Sequence, residues 1–211
     1  MSIIDEISEM LQKGKKKVVV SLVQQAIDEG VDANIILNDG LLAGMDIIGG
    51  KFKRNEVFVP EVLMAARSMN AGTALLKPLL SDENAKPMGK ACIGTVKGDM
   101  HDIGKNLVRM MLEGKGIEVI DLGVDVEPEK FVECVKNEDC KLVCCSALLT
   151  TTMPVLGDVV KAFEQAGLRD NVKIMVGGAP VTEEYCVTVG ADTYTDDAAT
   201  AADAAVALLT A

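Results

Sequence analysis

The chain has 211 residues, enough for one large domain or two small ones, and 49% of them are hydrophobic, so a buried core is easily supplied. Its 32 acids against 21 bases give a net charge of −11, which argues against a nucleic-acid partner; Lys15, Lys16 and Lys17 form the only short basic run. Aromatic residues make up 3% and Trp is absent, so that core must be built from Val, Ile, Leu, Ala and Met.

No stretch is long and apolar enough to span a bilayer, which predicts no membrane partner. The first residues carry Asp5 and Glu6 and lack a secretory pattern, so a cytoplasmic location is expected. Of the six cysteines, Cys92, Cys144 and Cys145 sit in apolar runs. Cys134, Cys140 and Cys186 show no Cys-x-x-Cys spacing, so reduced, structural thiols are expected.

From Ser2 to about Leu80 the periodicity is helical. Ile4, Ile7 and Leu11 share one face, as do Val19, Val23 and Ala26 or Ile27. Gly14 and Gly30 stand where helices end. A third helix is predicted over 32–51, with Leu37, Leu41, Met45 and Ile48 inward. A fourth starts near Pro60 and carries Leu63, Ala66, Met69, Thr73 and Leu76. These elements predict a four-helix bundle over residues 1–80. The polar segment Ser81–Met88 reads as a linker.

Over 89–211 strands alternate with helices. Strands are predicted at Lys90–Val96, Ile117–Leu122, Lys141–Ser146, Val172–Val176 and Ala191–Tyr194. The helix after the first strand is expected to bury Ile103, Leu107 and Met110 or Met111. The next opens at Pro128 and buries Phe131 and Val135; the third uses Val155, Val159 and Phe163. A short helix is predicted at Thr182–Val189, and an Ala-rich one from about Asp197 to Leu209. The expected fold class is therefore α/β: a helical cap plus a flavodoxin-like, five-stranded parallel sheet in the order 2-1-3-4-5. That order places a ligand at the carboxyl ends of strands 1, 3 and 4.

Three loops fall on that rim: Gly98–Gly104, Ser146–Thr152 and Gly177–Ala179. Each has an ordinary reading, as a surface histidine, a helix cap and a turn. Their shared location raises the functional one. His101 is the only histidine, and Asp99 stands two residues before it, able to hold one ring nitrogen. Gly98 and Gly104 would let backbone approach a bulky planar ring. One histidine cannot make an ordinary zinc site. It can be the single protein bond to a metal whose cofactor supplies its own equatorial nitrogens.

Asp99-x-His101-x-x-Gly104, Ser146-x-Leu148 and Gly177-Gly178, in that order, resemble the signature of cobalamin-binding domains. The phrase from Gly94 to Asn106 is similar to that of corrinoid proteins in methyltransferase systems and of methionine synthase, and Phe58-Val-Pro-Glu-Val62 resembles the cap helix of that family. The resemblance spans the whole chain. It implies His101 as axial ligand to cobalt, Asp99 as its hydrogen-bond partner and Thr152 as the hydroxyl behind Asp99, where many relatives carry Ser. It also implies Gly98, Asp102 and Gly104 around the ligand loop. Ser146, Leu148 and Thr150 would line a slot for the nucleotide tail, Gly177 and Gly178 would let its end pass, and Phe58 and Met64 would shield the reactive face.

The cofactor implied is a cobalamin or related corrinoid, in methylcobalamin form when loaded. The chain would be a non-catalytic carrier, taking a methyl group on Co(I) through a substrate-specific methyltransferase. A second methyltransferase would pass it on to an acceptor such as tetrahydrofolate or a thiol, and a reductive activase would be a further partner. The cap is expected to swing about the linker when a partner docks. Candidate donors are methylamines, betaines, methanol, thiols and methoxylated aromatics, with a lean to amines or betaines. A response regulator is disfavoured by Cys145-Ser146 where a phosphoacceptor aspartate belongs, and a nicotinamide dehydrogenase by the lack of a Gly-x-Gly-x-x-Gly loop. The rival readings are an adenosylcobalamin-dependent mutase subunit and a cobalamin sensor.

Overall fold

Ser2 opens the first helix, α1 (Ile3–Gln12). Its Oγ accepts from the Asp5 N–H at 3.1 Å, and the Asp5 carboxylate accepts from the Ser2 N–H at 2.9 Å. This reciprocal cap satisfies donors that a helix start otherwise leaves unpaired. The computed structural model describes residues 2–80 and 87–211; residues 81–86 of the expected linker lie outside the described residues. The chain parts into two units. One runs up to residue 87 and takes in Gly114–Gly116; the other comprises Met88–Glu113 and Ile117–Ala211.

In the helical unit α2 (Lys16–Asp28) follows α1, and Gly14 and Gly30 take positive φ just past the two helix ends. Ile7, Leu11, Val19, Val23 and Ala26 are fully buried, as the periodicity predicts. The third rod departs from expectation. It is built of α3 (Ala33–Ile35), a π-helical stretch (Ile36–Leu42) and α4 (Ala43–Lys53). A π turn repeats near five residues, so Ile36 and Leu41, five apart, both point inward, and Ile36 replaces the expected Leu37. Met45 and Ile48 continue the buried face in ordinary helical register. In α5 (Val59–Leu76), with Pro60 in its first turn, the buried residues include Val62, Ala65, Ala66, Met69, Gly72 and Leu76. Leu63 and Thr73, expected inward, are only partly buried.

The α/β unit runs β1 (Gly89–Val96), α6 (Ile103–Gly114), β2 (Ile117–Val126), α7 (Pro128–Glu138), β3 (Leu142–Ser146), α8 (Met153–Gln165), β4 (Lys173–Gly177), α9 (Glu183–Val189), β5 (Thr193–Tyr194) and α10 (Ala198–Thr210). Among the described residues the sheet has five parallel strands in the order β2-β1-β3-β4-β5, as the alternation predicts. Residues 91–96 and 142–145 are buried, which is why these strands read as continuous apolar runs. On one face Cys92, Val143, Ile174 and Val176 pack with Phe131 of α7 and Leu156, Val159 and Phe163 of α8. In α6, Leu107, Met111 and Leu112 are buried, but Ile103, expected among them, is 77% exposed, because the first turn of the helix stands on the open rim of the sheet.

Register fixes that rim. Thr95 pairs with Ser146, and Ser146 with Gly177, so the carboxyl ends of three strands lie in one row. β2 extends to Val126, four residues beyond the expected Leu122. Register shifts after Ile93 and Gly94 accommodate the extra length, and they carry Asp125 up beside the first loop. Among the described residues no helix is long and apolar enough to cross a membrane.

Candidate functional site

The loop after β1 is tied on both sides. Gly98, at φ +81°, donates its N–H to the Asp125 carboxylate at 2.7 Å, and the Asp125 N–H donates to the Asp99 carbonyl at 3.0 Å. Thr95 Oγ donates to the His101 carbonyl at 2.8 Å. The strand end and an edge strand thus fix the backbone that carries the histidine.

Asp99 is fully buried. Its Oδ1 lies 2.7 Å from His101 Nδ1 and accepts from the His101 N–H at 3.0 Å. Its Oδ2 accepts from the Leu148 N–H at 2.7 Å, the Leu149 N–H at 3.3 Å and Thr152 Oγ at 2.8 Å. Thr152 Oγ also lies 2.9 Å from the Leu149 carbonyl, so its single proton is shared between two acceptors. Burying a carboxylate costs several kcal/mol. Hydrogen bonds to a charged group contribute roughly 1.5–3 kcal/mol each, so this set of donors offsets the cost. Burial raises the Asp99 pKa. The bonds from the Leu148 backbone, the His101 ring and backbone and the Thr152 hydroxyl outweigh it and hold the carboxyl well below the usual range.

An ionised Asp99 makes Nδ1 the protonated nitrogen of a neutral His101 ring and leaves the lone pair on Nε2. The ring is half exposed, its side chain 51% accessible. Around it stand large apolar side chains in contact with water: Met100, Ile103, Leu148 and Leu149. Sequence reasoning missed Met100 and Leu149 and assigned Ile103 to the core. Their signal was position, since each lies beside a rim residue already singled out.

The glycines divide by what surrounds them. A Cβ on Gly104 or on Gly177 would meet nothing within 4 Å, so both border open space. A Cβ on Gly178, at φ +134°, would lie 1.8 Å from the Ala147 carbonyl oxygen, so this turn admits only glycine. Ser146 ends β3, and Thr150 is exposed in the loop that follows. The Asp102 carboxylate accepts from Asn106 Nδ2 at 3.0 Å, joining the residue before α6 to its first turns. Phe58 and Met64 belong to the helical unit, where both are exposed. Further along the rim an open cleft of about 410 Å³ is lined by Thr182, Glu183, Tyr194, Thr195, Asp196 and Thr200, none of them singled out for the site by sequence reasoning.

One imidazole nitrogen facing out of an apolar rim, with open space over two glycines, fits a flat macrocycle that brings a metal and needs one axial ligand. The comparisons with known proteins agree. A B12 binding domain matches residues 89–208, and a second B12 binding domain matches residues 3–77. The chain is 43% identical over 196 residues to dimethylamine corrinoid protein 1 of Methanosarcina acetivorans, covering 92% of each. It is 41% identical over 179 residues to the trimethylamine corrinoid protein of Methanosarcina barkeri, covering 84% of this chain and 82% of that one. In three dimensions it is similar to the methanol:cobalamin methyltransferase complex of Methanosarcina barkeri, with a TM-score of 0.90 and 30% identity over 99% of this chain and 80% of that chain. The chain belongs to the B12-binding corrinoid proteins of methyltransferase systems. Its cofactor is a cobalamin or related corrinoid, with the cobalt as its metal.

Proposed function

We propose that this chain is a methyl carrier without catalytic activity of its own, presenting its corrinoid first to a substrate-specific methyltransferase and then to a second methyltransferase. The observation that carries the reading is the buried Asp99 carboxylate bound to Nδ1 of a half-exposed His101, which leaves Nε2 as the one ligand nitrogen on the rim. The bound corrinoid supplies a cobalt centre able to take up and give up a methyl group; the protein binds, orients and tunes it.

His101 would hold the corrinoid's cobalt through Nε2, with Asp99 fixing the ring's tautomer and Thr152 steadying Asp99. Gly98 shapes the ligand loop, and Asp102 holds the start of α6. Gly104 keeps the approach to the ring clear, while Met100, Ile103, Leu148 and Leu149 offer the apolar surface on which a macrocycle rests. Ser146, Leu148 and Thr150 line the path of the nucleotide tail, and Gly177 leaves room for it. Gly178 keeps the adjoining turn closed. The hydroxyl-lined cleft beside Thr195 suits the polar end of that tail. Phe58 and Met64 are large apolar groups exposed on the helical unit, of the kind that could shield a reactive group from water.

The donor we favour is a methylated amine, on the strength of the dimethylamine and trimethylamine relatives. The second methyltransferase would serve tetrahydrofolate or a thiol, and a reductive activase would restore the carrier after adventitious oxidation. The helical unit, itself matched as a B12 binding domain, favours methyl transfer over a mutase subunit.

Electron paramagnetic resonance of the reconstituted Co(II) protein tests the central assignment. Superhyperfine splitting from a single imidazole nitrogen is expected in the wild type and absent from His101→Ala. A wild-type spectrum without it would remove His101 from its role. The donor is tested by assaying methylation of the carrier with dimethylamine-, trimethylamine-, betaine- and methanol-specific methyltransferases; transfer from methanol alone would displace the amine reading.

A further inference from the structure

Among the described residues all six cysteines are free and buried. Three of them meet, one from the first strand and two from around the end of α7. The Sγ atoms of Cys92, Cys134 and Cys140 all lie within 4.8 Å of one another. Cys92 comes from the middle of β1, Cys134 from α7 and Cys140 from the connection into β3. Chain spacing conceals the group, because the first two stand 42 positions apart and only the fold brings them together.

The cluster is separate from the cofactor rim. Cys92 lies four residues before the end of β1, about 13 Å along the strand from Val96. It faces the α7 side of the sheet, among Phe131, Val135 and Val143. Zinc–sulfur bonds of about 2.3 Å in tetrahedral geometry set neighbouring sulfurs somewhat under 4 Å apart, so three atoms within 4.8 Å need only small side-chain adjustments to share one ion. Cys92 is 0% exposed and Cys140 1%, but Cys134 is 8% exposed, which gives an ion a way in and solvent a way to the fourth position.

We propose that Cys92, Cys134 and Cys140 form a three-thiolate site for a soft divalent metal ion of the zinc class, distinct from the corrinoid cobalt. Three sulfur–metal bonds form as three S–H bonds break, three protons pass to solvent, and a water completes the coordination. Thiolate ligands select such ions over hard cations such as Mg²⁺ or Ca²⁺. The bound ion ties α7 to the first strand and to the connection that leads into the third.

Zinc-edge X-ray absorption tests this on the reconstituted holoprotein, purified anaerobically and given one equivalent of Zn²⁺, because the zinc edge is distinct from that of cobalt. One zinc per chain with a shell of three sulfurs at about 2.3 Å is expected. Cys134→Ala should weaken zinc binding roughly 100-fold or more, the share of a structural thiolate site owed to one ligand. Cys144→Ala, outside the cluster, should leave it unchanged. Substoichiometric zinc in the wild type, or a shell of nitrogen and oxygen only, overturns the proposal whether or not the variants fold. An unaltered sulfur shell in Cys134→Ala overturns it equally.

Discussion

Asp99 Oδ1 lies 2.7 Å from Nδ1 of His101, the carboxylate fully buried and the ring half in solvent. One residue faces the core and its partner the rim, so the charge is sheltered while Nε2 of the ring stays within reach. Removing the sheltered partner should be felt at the exposed one. Asp99→Ala is expected to weaken corrinoid affinity about 10–100-fold, as for carboxylate partners of metal-bound histidines. Reconstitution titrations followed in the visible spectrum measure it, and affinity equal to wild type would count against the coupling.

The same carboxylate predicts a pH dependence of stability. Its folded pKa is depressed. The stabilisation is therefore complete above the unfolded value of about 3.9 and is lost as pH falls toward the folded value. In cofactor-free protein, the stability gap between wild type and Asp99→Asn should narrow as pH drops from 6 through about 4 to 3. Urea unfolding at a series of pH values reads this, and two parallel curves would show that the charge of Asp99 contributes nothing.

Adjacent glycines give an opposed pair. Gly178→Ala drives a Cβ into the Ala147 carbonyl at a backbone angle that alanine avoids, and should cost about 3 kcal/mol or more. Gly177→Ala places its methyl in open space. It should leave stability within about 0.5 kcal/mol yet lower corrinoid affinity about 10-fold by crowding the tail. Thermal melts of the cofactor-free proteins, beside binding titrations, separate the effects. Normal binding by Gly177→Ala would take the tail away from this position.

Thr152 supplies one of the donors to a buried charge. Thr152→Val keeps the shape and removes the hydroxyl, and should destabilise the protein by about 1–3 kcal/mol. Thr152→Ser should restore most of that. If serine failed to rescue, packing of the threonine methyl would be the explanation instead.

Most of the architecture could be read from the chain because hydrophobic period and strand–helix alternation are local signals. The row Thr95, Ser146, Gly177 followed from strand order, and His101 and Asp99 followed from the motif between Gly94 and Asn106. The misses have physical causes. A π stretch leaves no trace in a 3.6-residue period, so Leu37 was assigned the place that Ile36 takes. Ile103 fits the apolar face of α6 by spacing, yet it stands in the first turn, above the sheet, where nothing of its own unit covers it. β2 runs on past the expected end at Leu122 through Gly123 and Asp125, residue types common in turns, which here take positive φ within a bulged strand.

That bulged extension helps anchor the loop that carries His101. Asp125 grips the ligand loop from one side and Thr95 from the other, through bonds wholly within the polypeptide. Both contacts come from the α/β unit's own strands, so the shape of this loop is built into the fold of the sheet that carries it.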